Sequence, residues 1–176
     1  MIKVLHERVS DRSAEYEEYL NQHINGVKKS YDMIKDILLI DSDLDVDDIT
    51  KLELQIEKHD ASKFEDEEWY PYLHHFYPSS AGKDDEDFYD KAWNHHQKCN
   101  PHHWQYWILQ KDSGEQKILD MPETYIIEML CDWSSFKYKN PESTANYWYK
   151  TNKDKMLLSD NTKQIIEKYL ELVPEL

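Results

Sequence analysis

The chain has 176 residues, with 21 Lys or Arg against 36 Asp or Glu, which gives a formal net charge of −15 at pH 7. A charge of this sign and size repels the phosphate backbone of nucleic acids, and it excludes a protein that coats nucleic acid. Three Gly and six Pro are too few for a disordered, collagen-like or turn-rich all-β chain. The length predicts one domain that spans residues 1–176.

The start of the chain and its cysteines predict a reduced, cytoplasmic protein with no membrane contact. The first residues, MIKVLHERVSDRS, lack the apolar segment of a secretory signal peptide. No run approaches the roughly 18 apolar residues of a membrane span. Cys99 and Cys131 are lone thiols without a CxxC spacing. Cys99 adjoins a group of histidines, and we expect it to be a small buried side chain rather than a metal ligand.

A long first helix is predicted from about Tyr16 to Leu38, because the apolar residues there recur in steps of three and four. His23 falls within this apolar face and is therefore expected to point into the core rather than toward solvent. The face comprises Tyr16, Leu20, His23, Val27, Tyr31, Ile34 and Leu38.

A second helix is predicted after the acidic stretch 41–48, with Asp47 or Asp48 as its N-cap. The adjacent pair His59-Asp60 comes at the C-terminal end of this helix. Its apolar face comprises Ile49, Leu52, Ile56 and His59.

The second half of the chain predicts further helices separated by short connections. A short helix over 65–77 is expected to break near Pro71 and Pro78, and an exposed loop follows over 79–87. The next helix ends at Asn100-Pro101. One small hairpin is permitted near 108–119, a helix opens at Pro122, and a last helix covers 161–172. The predicted fold class is an all-α, single-domain helical bundle.

Histidine and aspartate recur in four separate segments, which points to a metal centre. Nine His stand in the chain, six of them in the adjacent pairs His74-His75, His95-His96 and His102-His103. Neutral imidazole and carboxylate are the ligands that hold a borderline divalent ion without a thiolate. A buried Asp on a core-facing stripe is costly without a partner, and a metal ion is one such partner. We leave His74-His75 outside the site, as surface or core residues.

The order His23, His59-Asp60, Asp132 resembles the H…HD…D signature of the HD-domain superfamily of metal-dependent phosphohydrolases. Longer runs are similar to a family of small phage and bacterial proteins that often carry the label catalase, although a haem catalase is far larger than this chain. These runs are 59–64 (HDASKF), 92–96 (AWNHH), 100–104 (NPHHW), 128–133 (EMLCDW), 148–149 (WY) and 162–163 (TK).

The resemblance implies an HD-like helical domain with one or two divalent ions, which would be Mn, Fe, Co, Ni, Zn or Mg. Carried over, the first ion is bound by His23, His59, Asp60 and Asp132, and Asp60 bridges to a second ion if there is one. The remaining metal candidates are His95, His96, His102 and His103. The catalytic candidates are Asp60, Lys63, His96 and His103, with Lys63 either meeting a substrate phosphate or standing as an exposed helix-end lysine.

Several alternatives stay open at this stage. The pairs His95-His96 and His102-His103 lie closer together along the chain than in dinuclear HD proteins, so one ion and two ions are both compatible with the sequence. The implied reaction is hydrolysis of a nucleotide or other small phosphoester in the cytoplasm of a bacterial or phage-infected cell. The alternatives are an HD-fold di-iron oxygenase and a non-catalytic, phage-type binding or inhibitor protein that keeps a structural metal.

Overall fold

Helices dominate the computed structural model, which describes residues 2–78 and 86–176, with side chains for 11–40, 42–78 and 86–176. The helices are α1 (Ile2–Asp41), α2 (Val46–Glu57), α3 (Asp66–Phe76), α4 (Glu86–Cys99), α5 (Glu123–Ser135), α6 (Ala145–Asn152) and α7 (Asp160–Leu172). Strands β1 (Ile108–Gln110) and β2 (Gln116–Ile118) pair antiparallel, with Ile108 opposite Ile118. The all-α prediction and its one small hairpin are confirmed. Residues 79–85 of the predicted loop lie outside the described part.

The chain divides into two compact units, each assembled from two separate segments. Unit 1 comprises Met1–His23 and Asp60–Asn100, and unit 2 comprises Ile24–His59 and Pro101–Leu176. Helix α1 supplies residues to both units. The single domain over 1–176 stays a prediction.

The apolar face predicted for α1 is buried along its whole length. Tyr16 and Leu20 are each 1% exposed in unit 1, and Val27 is fully buried in unit 2. His23, at 8% exposed, lies on this face as expected. In the described part of the chain, no helix combines the length and apolarity needed to cross a membrane.

The core of unit 1 is aromatic. Tyr16, Leu20, Tyr72, Leu73 and Ala92 are its buried members, with further Tyr and Trp rings packed around them. The Tyr16 and Trp69 ring centroids lie 4.9 Å apart.

Pro71 does not break α3, contrary to the prediction. Proline removes one backbone hydrogen bond, the one to the carbonyl of residue 67. Glu67 is exposed, so the loss of one hydrogen bond at its carbonyl costs little. The Pro71 ring itself is buried, and the helix continues to Phe76.

Helix α5 carries most of the core of unit 2. All but three of its 13 residues are buried, among them Ile126, Ile127 and Leu130. Helix α7 begins one residue before the predicted start, where Ser159 Oγ accepts from the Thr162 backbone N–H at 3.1 Å.

Two local features of unit 2 differ from prediction. The N-cap of α2 is Asp45, whose carboxylate accepts from the Asp48 backbone N–H at 2.9 Å, and not Asp47 or Asp48. This cap completes the first turn that both of those residues occupy. Helix α6 was not predicted, because its aromatic residues have modest helix propensity. It forms with Thr144 as N-cap and with Tyr149 buried.

Gly26 marks a close approach between α1 and the end of α5. A Cβ atom built on Gly26 would lie 3.0 Å from both the Cβ and the backbone oxygen of Ser135. A glycine inside a helix normally destabilises it relative to alanine. At this position the loss of helix propensity is offset by the close packing of α1 against Ser135.

We therefore expect Gly26→Ala to lower the free energy of unfolding by about 1–3 kcal/mol, against the usual direction of a glycine-to-alanine change in a helix. The measurement is urea denaturation followed by circular dichroism. The neighbouring exposed position supplies a control, and Asn25→Ala should leave stability unchanged or raise it. A stabilised Gly26→Ala variant would contradict the close approach.

Candidate metal centre

The pair His59-Asp60 lies in a turn where the chain passes from unit 2 to unit 1. Helix α2 ends at Glu57, Lys58 caps it, and a 3-10 turn begins at Ala61. Asp60 adopts φ 57° and ψ 22°, a left-handed conformation that Asp tolerates better than most residues. Both side chains are 2% exposed. The turn lets two consecutive residues each contribute a buried metal-type ligand.

In unit 1, the Asp60 carboxylate is surrounded by nitrogen. Lys63 Nζ lies 2.7 Å from Oδ2, and His23 Nε2 lies 3.4 Å from the same oxygen. On the other side, His96 Nε2 lies 3.3 Å from Oδ1. A carboxylate is costly to bury unless it is paired. Lys63 supplies the positive charge, and the two imidazoles present the nitrogen that metal ions bind.

A fully buried glutamate, Glu68, stands behind the histidines of α4. The Nδ1–H of His95 donates to its Oε1 at 2.7 Å, and the Nδ1–H of His96 donates to its Oε2 at 2.7 Å. Burial raises the pKa of Glu68, but the hydrogen bonds from His96 and His95 outweigh burial and leave the pKa below its usual value. Burial lowers the pKa of His96, but the Asp60 charge and the Glu68 hydrogen bond leave it above its usual value.

Asn100 fixes the end of α4 against the turn that follows Asp60. Its backbone N–H donates to the His96 carbonyl at 3.0 Å. Its side-chain Nδ2 donates to the same carbonyl at 2.9 Å and to Ser62 Oγ at 2.8 Å. The Asn100-Pro101 stop predicted from sequence therefore also holds His96 in place.

Cys99 is exposed, so the prediction of a buried side chain is wrong. It is the last residue of α4, and its Sγ lies 3.4 Å from His95 Nε2, one turn earlier. Partial burial and the charges of Glu68 and Glu65 raise the pKa of the thiol. The raised pKa favours the protonated form, which is a poor nucleophile.

In unit 2, a second buried glutamate, Glu128, holds two histidines. Its Oε1 accepts from the Nδ1–H of His59 at 2.9 Å and from the Nδ1–H of His102 at 3.1 Å. The His59 and His102 rings lie 4.3 Å apart. His59, His102 and Glu128 are all buried and offer ligand atoms within 4.8 Å of one another.

Asp132 follows Glu128 by one turn of α5 and faces His59. His59 Nε2 lies 3.8 Å from Asp132 Oδ1, and the Asp132 side chain is 14% exposed. Burial raises the pKa of Glu128, but the hydrogen bonds and charges of His102 and His59 hold it at about 2. The half-buried His103 ring packs 4.4 Å from His102.

The structure groups the sequence-predicted residues by unit. His23, Asp60, Lys63 and His96 meet in unit 1, where His95 is tied to them through Glu68. His59, His102 and Asp132 meet in unit 2, with His103 beside His102. Of the pair left outside the site, His74 is exposed and His75 stacks on Tyr89 at 3.9 Å.

Glu68 and Glu128 are the residues that sequence reasoning missed. Glu68 stands among Glu65, Asp66 and Glu67 in an acidic segment, and nothing in the pattern separates it from its exposed neighbours. A signal did exist for Glu128, which lies four residues before Asp132 in an otherwise apolar helix and therefore on the same face.

Within each unit, the donor atoms are of the kind that a divalent metal ion binds. They are imidazole nitrogens and carboxylate oxygens, most of them buried, and they are the ligands that Mn, Fe, Co, Ni and Zn accept in proteins. Mg prefers oxygen and suits this set less well.

The low pKa of Glu128 makes the stability of the metal-free protein sensitive to acid. A carboxyl whose pKa is lowered by folding stabilises the protein above its unfolded value, and this contribution is lost as pH falls toward the folded value. We expect the contribution of Glu128, at most about 3 kcal/mol, to disappear between about pH 4.5 and pH 2.

The measurement is urea denaturation of chelator-treated protein across this pH range, with Glu128→Gln as the comparison. The wild-type free energy of unfolding should fall more steeply than that of Glu128→Gln as acid is added. Parallel curves would contradict the assigned pKa. The control is Glu57→Gln, because the Glu57 side chain is 70% exposed. The free energy of unfolding of this variant should follow the wild-type curve.

Comparisons with known proteins identify a family whose function is unknown. Comparisons with curated proteins and with solved structures gave no significant match. No HD-domain family was identified, so the HD resemblance depends on the motif residues alone. The profile described as "Family of unknown function (DUF5662)" matches residues 12–172, nearly the whole chain. The chain therefore belongs to the DUF5662 family.

Proposed function

We propose that the protein is a metal-dependent phosphohydrolase that acts on a nucleotide or another small phosphoester. The observation that carries this proposal is the buried carboxylate of Asp60, which faces the Nε2 atoms of His23 and His96 and the ammonium of Lys63. Imidazole and carboxylate supply metal ligands, and the ammonium supplies a charge for phosphate.

The HD-like motif supplies two pairs of proposed metal ligands, His23 with Asp60 in unit 1 and His59 with Asp132 in unit 2. Two ligands about 2.1 Å from a tetrahedral ion stand roughly 3.4 Å apart. The His23–Asp60 separation of 3.4 Å in unit 1 agrees with this value, and the His59–Asp132 separation of 3.8 Å in unit 2 is slightly longer. Each separation supports its own pair as ligands of a metal ion.

Burial favours one member of each histidine pair as a metal ligand within its own unit. His96 and His102 are 0% and 1% exposed, whereas His95 and His103 are partly exposed. We assign His96 and His102 as the ligating members. His95 and His103 then take supporting roles, with His103 a candidate acid or base.

A divalent ion in such a centre would polarise a phosphoryl oxygen and activate water. The side chains of the protein do the rest. Lys63 neutralises phosphate charge, and Asp60 binds metal and accepts a proton.

Metal retention tests the centre directly. We expect His59→Ala and Asp60→Gly each to lose stoichiometric metal, measured by elemental analysis of purified protein. Glycine is chosen at position 60 because it accepts the left-handed backbone, so the carboxylate is removed without added strain. The exposed His74 gives the control, and His74→Ala should retain the metal. Full metal content in both variants would contradict the assignment of His59 and Asp60 as metal ligands.

Turnover tests the reaction. Metal-loaded protein should hydrolyse a phosphoester, and a chelator should abolish the activity. Lys63→Ala should raise KM by about tenfold to a hundredfold, the value of one charge-assisted hydrogen bond, and leave the metal in place. Lys98→Ala changes an exposed lysine of the same unit and should leave KM unchanged.

Two outcomes would redirect the assignment. Two tightly held irons with oxygen consumption would identify the di-iron oxygenase. Bound metal without turnover on nucleotides, cyclic nucleotides and simple phosphate esters would contradict the hydrolase and favour a binding protein with a structural metal.

A further inference from the structure

Two glutamates are buried, although the loss of hydration normally keeps carboxylates on the surface. Glu68 is 0% exposed and Glu128 is 4% exposed. A buried carboxylate requires donors, and in both cases histidine supplies them. Glu68 accepts from His95 and His96, and Glu128 accepts from His59 and His102.

These contacts determine where each imidazole carries its proton. An ionised carboxylate only accepts, so the ring nitrogen facing it must be protonated. The contact is made by Nδ1 in all four rings, at 2.7 to 3.1 Å. The lone pair of a neutral ring is then on Nε2.

For His96 and His59, the Nε2 atom faces another candidate ligand of the same unit. His96 Nε2 lies 3.3 Å from Asp60 Oδ1 in unit 1. His59 Nε2 lies 3.8 Å from Asp132 Oδ1 in unit 2. Each glutamate thus accepts from the Nδ1–H of a histidine whose Nε2 atom faces an aspartate.

We propose that Glu68 and Glu128 are positioning residues that hold His96, and His59 with His102, in the tautomer that ligates through Nε2. This inference rests on the proposed metal-dependent function. Glutamates in this place fix the tautomer and the orientation of the rings, and losing such a partner typically costs 10- to 100-fold in metal affinity.

The two glutamates differ in a way that makes the role testable. Glu128 serves both rings through a single oxygen, Oε1, whereas Glu68 serves one ring through each oxygen. Glutamine keeps one acceptor oxygen and replaces the other by an NH2 donor. Glu128→Gln can therefore preserve both contacts. Glu68→Gln must place a donor against one Nδ1–H, and that ring must change tautomer.

The experiment is ¹⁵N NMR of histidine-labelled protein, metal-free and loaded with Zn²⁺, which reports the tautomer of each ring. The wild type should show Nδ1–H at His59, His96 and His102. Glu128→Gln should leave these tautomers unchanged. In Glu68→Gln, one of His95 and His96 should switch, and the partly exposed His95 is the one that we expect to do so.

Zn²⁺ affinity gives the second measurement, by competition with a chromophoric chelator. Glu128→Ala should bind Zn²⁺ about 10- to 100-fold more weakly than the wild type, and Glu128→Gln should stay close to the wild type. If Glu128→Ala does not fold, the glutamine variants still decide the matter through their tautomers. Glu57→Gln, on the surface of unit 2, should change neither measurement.

Several results would overturn the positioning role. An Nε2–H tautomer at His59 in the wild type would do so, as would two unchanged rings in Glu68→Gln. Loss of Zn²⁺ in Glu128→Gln to the same extent as in Glu128→Ala would make Glu128 a direct ligand instead. Metal-free protein with the expected tautomers but no affinity for divalent ions would overturn the proposed function, because the tautomers are read without metal.

Discussion

The burial of carboxylate charge is the constraint on which this structure depends. Asp60, Glu68 and Glu128 lie almost out of reach of water, and each is compensated by imidazole or ammonium nitrogen. Removing one partner from a buried pair typically costs about 3–5 kcal/mol, because the other charge is left uncompensated. The site residues are therefore part of the core, and changes at the site also change stability.

Hydrophobic periodicity located most of the helices and the inward direction of His23, because α1 buries one continuous apolar face. It could not locate α6, whose residues have modest helix propensity and whose order depends on the Thr144 cap and on burial. The exposed position of Cys99 was also missed, since its place at the last turn of α4 is set by tertiary packing. Hydrophobic periodicity indicates which helix face is buried. It does not indicate where a helix begins or ends, because capping residues and tertiary packing determine those positions.

The candidate ligands could be named from the sequence, whereas their supporting residues could not. His59-Asp60 stands out because it is the one adjacent His-Asp pair in the chain. Glu68 is hidden among exposed acidic neighbours, and only the fold separates it from them by burial. Which of His95 and His96 is the proposed ligand likewise depends on which face of α4 is buried. The sequence therefore identifies the candidate metal ligands, whereas the packing of the helices determines which of them are buried and how they are oriented.

The discontinuous make-up of the units has a consequence for synthesis on the ribosome. Unit 1 needs Met1–His23 together with Asp60–Asn100, so it cannot be completed before residue 100 has left the exit tunnel. Until then the apolar face of the nascent α1 has no final partner from α3 or α4. Contacts this far apart in sequence slow folding and leave apolar surface exposed to chaperones and proteases. No single truncation within residues 1–176 isolates either unit, since the two segments of each unit alternate along the chain with those of the other.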